Sequence, residues 1–111
     1  MTTQSYTVAP IGTVQMADGM FRIEVDAAYR AGLLKIGAFS HVIVFWWATG
    51  TDNAQDRATL TEKLYYADNI EAGVFACRTP RRPNPIAMSV CPIVDVDEAA
   101  GTITVGYIDA E

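Results

Sequence analysis

Residues 73–89 read GVFACRTPRRPNPIAMS, and Pro80, Pro83 and Pro85 within them constrain the fold more than any other feature of the chain. Proline lacks the amide donor and fixes φ, so no sheet ladder continues through this stretch. The residue before each proline is pushed toward extended geometry as well. Apolar runs lead in (Val74-Phe75-Ala76) and out (Met88-Ser89-Val90-Cys91), so the stretch reads as a stiff loop between strands. Three of the chain's eight basic residues, Arg78, Arg81 and Arg82, project from it with Asn84. These are donors suited to a carboxylate, a phosphate or a base edge. Three arginines in five positions repel one another, so an anion or several carboxylates must lie beside them. An anion-binding loop is therefore favoured over a merely solvated turn.

The rest of the chain sets that local charge against an acidic background. Net charge is −5 over 111 residues, which argues against a broad basic face for nucleic acid while leaving room for a local patch. The length gives one domain spanning 1–111. Half of the residues are apolar and 19% are charged, the balance of a globular rather than a disordered chain. No apolar run approaches the ~20 residues of a membrane span, and MTTQSYTVAP lacks the basic start and apolar core of a signal peptide. A cytoplasmic home is the default expectation. Cys77 and Cys91 match no metal-site or disulfide-scaffold spacing and read as small buried hydrophobes. No metal is expected.

Taken in order, the chain reads mostly as strands. Residues 6–14 are extended, with Pro10 marking an edge or bend. Residues 16–20 turn, and 21–25 (FRIEV) alternate as a half-buried strand does. Asp26 is placed to cap a short helix over 27–34, limited by Gly32 and Gly37. Residues 39–49 (FSHVIVFWWAT) are apolar on both parities, which predicts a central strand covered on both faces. Residues 51–57 form a polar loop. Residues 58–66 fit helix or strand, with the balance toward a strand at 63–66, and 68–71 form a loop. Residues 88–96 and 102–108 pair as a hairpin across 97–101, with Gly101 in the left-handed position. Six or seven strands with short connections and one short helix predict a small antiparallel β-barrel, mainly β, carrying the Pro/Arg-rich loop. The alternating strand–helix units and glycine fingerprint of a dinucleotide-binding sheet are missing.

The 73–89 stretch resembles the signature of the TrmO family, also called TsaA-like, whose pattern runs Gly-Val-Phe-Ala-x-Arg-Ser-Pro-x-Arg-Pro-Asn-Pro-Ile-Gly-Leu-Ser. Gly73, Val74, Phe75, Ala76, Arg78, Pro80, Arg82, Pro83, Asn84, Pro85, Ile86 and Ser89 stand at matching places, while Thr79 and Ala87-Met88 depart from it. Phe39-Ser40-His41 is similar to a second motif of the same family. The resemblance implies an S-adenosylmethionine-dependent methyltransferase acting on N6-threonylcarbamoyladenosine in the anticodon loop of certain tRNAs, built on a β-barrel and working as a homodimer. Two alternatives stand beside it: a non-catalytic S-adenosylmethionine-binding module, and a methyltransferase of a small-molecule acceptor. The resemblance also implies a segment after Asp109 and, in larger members, a C-terminal domain; both are expected to be absent.

There is no Ser-His-Asp order, no His/Cys metal cluster and no phosphate loop. Methyl transfer needs none of them, because binding, alignment and exclusion of water suffice for a donor already activated as a sulfonium. Under the resemblance, Phe39, Ser40, His41, Arg78, Arg82, Pro83, Asn84, Pro85 and Ile86 are expected to line the cofactor pocket. Arg78 or Arg82 takes a carboxylate or phosphate through a bidentate fork. Asn84 reads an amide or adenine edge, and Pro83, Pro85 and Ile86 form a wall. Arg81 and Arg82 are candidates for the substrate. His41 and Asp109 are candidate proton acceptors, and the residues do not rank them.

Overall fold

The computed structural model describes residues 3–17 and 19–107. Asp109 lies outside the described residues. The described residues form seven strands: β1 (Gly12–Ala17), β2 (Met20–Val25), β3 (His41–Trp47), β4 (Thr61–Leu64), β5 (Ile70–Gly73), β6 (Ile86–Asp97) and β7 (Thr102–Val105). Among the described residues, helix is confined to short 3-10 turns and one α-helical turn, α1 (Ala54–Arg57). The larger sheet has the order β1-β2-β7-β6-β3, and β4-β5 form a second, two-stranded sheet. The pairs β1–β2, β2–β7, β6–β7 and β4–β5 are antiparallel, so the expected mainly β, antiparallel class is what the chain adopts.

The described residues group into two compact units. The first takes in the residues up to 42 and those from 91 to 107; the second is Ile43–Val90. In the first, β1 and β2 form a tight hairpin in which Ala17 faces Met20 and Gly19 adopts φ 75°. The expected turn over 16–20 is thus shorter, because Met16 still pairs with Phe21 and Ala17 with Met20. Along β2, Phe21 and Ile23 face Val105 and Ile103 of β7. Val25, Leu33, Cys91, Ile103 and Val105 are buried. Burying each of the larger side chains contributes about 1.5–3 kcal/mol. The short helix expected after Asp26 is a 3-10 helix over Ala27–Leu33, without a side-chain cap bond from Asp26. Asp26 instead donates its amide to the Ile11 carbonyl and accepts from the Tyr29 amide.

The expected hairpin across Gly101 forms between β6 and β7, with β7 ending at Val105 and Asp97 in the ladder rather than in the turn. Asp97 pairs with Thr102, and Gly101 sits at φ 73°. A β-bulge between Ile93 and Asp95 shifts the register along β6, the usual way for a long strand to re-aim its side chains.

The second unit corrects three expectations. The strand expected at 63–66 runs over Thr61–Leu64, and the tyrosine pair begins a 3-10 turn over Tyr65–Ala67. The loop expected at 68–71 contributes Ile70 and Glu71 to β5, because left-handed Asp68 and Asn69 close a compact reversal that pairs Leu64 with Ile70. Strand β3 is likewise not covered on both faces. It ends the order of its sheet, and exposure alternates along it: Ile43, Phe45 and Trp47 are 56%, 69% and 41% exposed. A sequence apolar on both parities cannot reveal which face is left bare. The small core of the unit holds Ala48, Val74 and Pro85 with Ser89, whose hydroxyl accepts a 3.0 Å bond from the Trp46 indole.

Candidate functional site

The loop between β5 and β6 opens with a 3-10 turn over Val74–Ala76, and the Val74 amide donates to the Leu60 carbonyl at 2.9 Å. Beyond it no ladder is available, so its carbonyls must find donors elsewhere. They find them on the stretch 48–57. The Ala48 amide donates to the Pro85 carbonyl at 2.8 Å. The Thr51 hydroxyl donates to the Pro80 carbonyl at 2.9 Å, and Arg57 Nε donates to the Pro83 carbonyl at 2.8 Å. All three loop prolines are thereby pinned by their carbonyls to one neighbouring segment.

Its residues 51–57 were expected to be a polar loop, and this is where the reading of the residues missed most. Asn53 caps α1 by accepting the Asp56 amide at 2.8 Å, which orients the single turn from Ala54 to Arg57. Asp52 joins Trp47 to Arg57, accepting from the indole at 3.0 Å and from Arg57 Nη1 at 3.1 Å. Arg57 Nη2 reaches the Asn84 side-chain oxygen at 3.3 Å. The signal available in advance was the Asx cap with acidic Asp56 in the first turn. Nothing local told that Arg57 would point at the loop.

The three loop arginines meet different fates. Arg81 pairs with Asp56 at 3.5 Å and Glu62 at 3.4 Å, so its charge is offset within the unit. Arg82 is half-buried, its guanidinium carbon 5.9 Å from the centre of the Phe75 ring, which is itself 76% exposed. Such a contact is attractive without neutralising the charge. Arg78 is exposed. Among the described residues, neither Arg78 nor Arg82 has a carboxylate within ion-pair distance. The demand for counter-charge inferred from the sequence is met inside the molecule for one arginine and left open for two.

The remaining candidate residues divide. Pro83 is half-buried, while Asn84 and Ile86 are exposed beside Arg82. Pro85 is almost fully buried, so its ring supports the loop from beneath and does not form a free wall. Phe39, Ser40 and His41 belong to the first unit. There Phe39 is exposed, and the Ser40 hydroxyl lies 2.8 Å from His41 Nδ1. The Ser40 carbonyl accepts from the Ile93 amide at 2.9 Å. Of the cysteines, Cys91 is buried as expected and Cys77 is half-buried.

A cleft of about 440 Å³ beside α1 and the β4–β5 hairpin is lined by Asp56, Glu62, Lys63, Glu71 and Arg81 among others. It contains Arg81 but none of the candidate cofactor residues. The unpaired arginines are therefore a better guide to the site than the concavity. Among the described residues no cluster of His, Cys, Asp or Glu is arranged to hold a metal, and no helix is long and apolar enough to cross a membrane.

The chain is 32% identical over 87 residues to a probable S-adenosyl-L-methionine-binding protein of Halobacterium salinarum, covering 78% of this chain and 63% of that protein. It is 32% identical over 99 residues to an S-adenosyl-L-methionine-binding protein of Archaeoglobus fulgidus, covering 86% and 64%. Thus it spans a little under two thirds of the length of these relatives. The crystal structure of TrmO from P. aeruginosa superposes with a TM-score of 0.69 at 20% identity, over 97% of this chain and 50% of that one, which establishes a shared fold. The profile of the tRNA-methyltransferase O N-terminal domain matches residues 3–111, and the chain belongs to that family.

Proposed function

We propose that this chain binds S-adenosylmethionine at the exposed face of the 78–86 loop and serves as a methyltransferase of the TrmO type, with N6-threonylcarbamoyladenosine in tRNA as acceptor. The observation that carries the proposal is the pair of arginines, Arg78 and Arg82, left without a carboxylate partner among the described residues, on a loop pinned through three proline carbonyls. An anion is what such a site lacks, and a loop held this way loses little freedom when it binds one. The residues fit the cofactor. A guanidinium fork of Arg78 or Arg82 suits its carboxylate, and Phe75 and Ile86 offer exposed apolar surface nearby in the chain. The cofactor supplies an activated methyl group, so this chain's residues need bind, align and exclude water. The archaeal relatives named as S-adenosyl-L-methionine-binding proteins support the same cofactor.

Calorimetric titration with S-adenosylmethionine and S-adenosylhomocysteine tests the proposal. Saturable binding near one site per subunit is expected, and a folded chain that binds neither refutes it.

A second reading, a cofactor-binding module without transfer, is supported by the names of those relatives, which state binding alone. The net charge of −5 weighs the same way against a wide tRNA contact. Transfer of labelled methyl to tRNA carrying the modified adenosine, or to a small acceptor, separates the readings. We also propose a homodimer, supported by the exposed apolar residues Ile43, Phe45 and Trp47 of β3 and Ile86, Met88 and Val90 of β6. A monomeric mass by light scattering at micromolar concentration removes it.

A further inference from the structure

We propose that Arg57 is a positioning residue that sets the polarity of Asn84, so that Asn84 meets a bound ligand as a hydrogen-bond donor. The inference rests on the loop being the ligand site, as proposed above. Arg57 uses its whole fork: Nε to the Pro83 carbonyl at 2.8 Å, Nη1 to Asp52 at 3.1 Å and Nη2 to the Asn84 side chain at 3.3 Å. A guanidinium carries donors only, so the Asn84 atom facing it must be the oxygen. That choice follows from chemistry and needs no sight of hydrogens. The Asn84 nitrogen, with its two hydrogens, is left for whatever approaches the exposed side of the residue.

Three contacts at one guanidinium also fix the neighbouring backbone, since Pro83 and Asn84 are held by the same group. Asp52 in turn holds the guanidinium and is itself held by the Trp47 indole at 3.0 Å. The ligand atom opposite Asn84 is therefore an acceptor: a carbonyl, a carboxylate oxygen or an unprotonated ring nitrogen. An amino group presented there would face two hydrogens and be rejected.

Titration of S-adenosylhomocysteine against Arg57→Met, Arg57→Lys, Asn84→Ala, Asn84→Asp and the Arg57→Met/Asn84→Ala double variant tests this. Arg57→Met is expected to weaken binding roughly tenfold, in the range for a charge-assisted contact. Arg57→Lys should recover part of the loss. The double variant should lose less than the product of the two single losses, because what Arg57 contributes through the Asn84 amide is already gone in Asn84→Ala. Asn84→Asp keeps an acceptor toward Arg57 yet loses the donor, so it should bind no better than Asn84→Ala. Wild-type affinity in Arg57→Met, or losses that multiply in the double variant, overturns the proposal. Nuclear magnetic resonance gives a readout that does not depend on the cofactor. The Asn84 side-chain amide signals, assigned by their absence in Asn84→Asp, should move in Arg57→Met and stay near wild type in Arg57→Lys. Signals unmoved in Arg57→Met overturn the role of Arg57 even if the wild type binds no cofactor, an outcome that would refute the cofactor reading separately.

Discussion

The turn at 97–101 and the loop at 73–89 flank β6 at its two ends, yet they are held by opposite means. In the turn, Asp97 does nearly everything: its carbonyl accepts the Gly101 amide at 2.9 Å and its carboxylate accepts the Ala100 amide at 3.0 Å. Gly101 supplies the left-handed φ of 73°. In the loop, the side-chain donors come from Thr51 and Arg57, 26 to 29 residues away along the chain. A turn held by its own residues spends its polar groups on itself. A loop held from behind by its carbonyls leaves its own side chains for another task.

Damage to the turn should therefore register as stability and damage to the loop as binding. The largest effect is expected for Gly101→Ala. The new methyl would meet the Arg30 side chain, which donates to the Val25 carbonyl at 3.1 Å, and the backbone would be strained as well. A loss of about 2–3 kcal/mol in denaturant unfolding is expected, with ligand affinity unchanged in the folded fraction. Arg82→Ala should do the reverse, weakening cofactor or substrate binding by roughly 1–3 kcal/mol while unfolding as wild type. An affinity equal to wild type in that variant would falsify the role given to Arg82.

Asn53→Ala blurs the contrast usefully, since Asn53 caps the turn that carries Arg57. A stability loss of about 1 kcal/mol is expected, together with weakened binding, because the capped turn presents Arg57 to the loop. Thermal unfolding and titration on the same sample would show whether both move. The smallest effect is expected at Arg81, whose pairs with Asp56 and Glu62 are partly exposed. Such pairs contribute about 0–1 kcal/mol, and Arg81→Ala should lower affinity less than Arg82→Ala does. An equal or larger loss would mean that Arg81 leaves its carboxylates when ligand binds.

The legible parts of the molecule share one property: their determinants are close in sequence. The alternation of 21–25 marked β2, the hairpin across Gly101 was placed correctly, and the prolines announced a loop without a ladder. Where the reading slipped, two local signals competed or the answer lay far away. The tyrosines at 65 and 66 have strand propensity, but left-handed Asp68 and Asn69 turn the chain just after Leu64. Pro85 was read as a wall and is buried, because a ring on either side of a loop looks the same in sequence.

Family membership, a mainly antiparallel β fold and a stiff, arginine-bearing loop were all determined by the order of the residues, because each rests on local stereochemistry or a contiguous motif. Which arginine finds carboxylates, which face of β3 stays bare, and that Arg57 grips Pro83 and Asn84 were decided only by the tertiary structure. Those outcomes depend on pairs of residues that the chain brings together only after folding, and Coulomb and hydrogen-bond energies act over ångströms of space rather than positions of sequence.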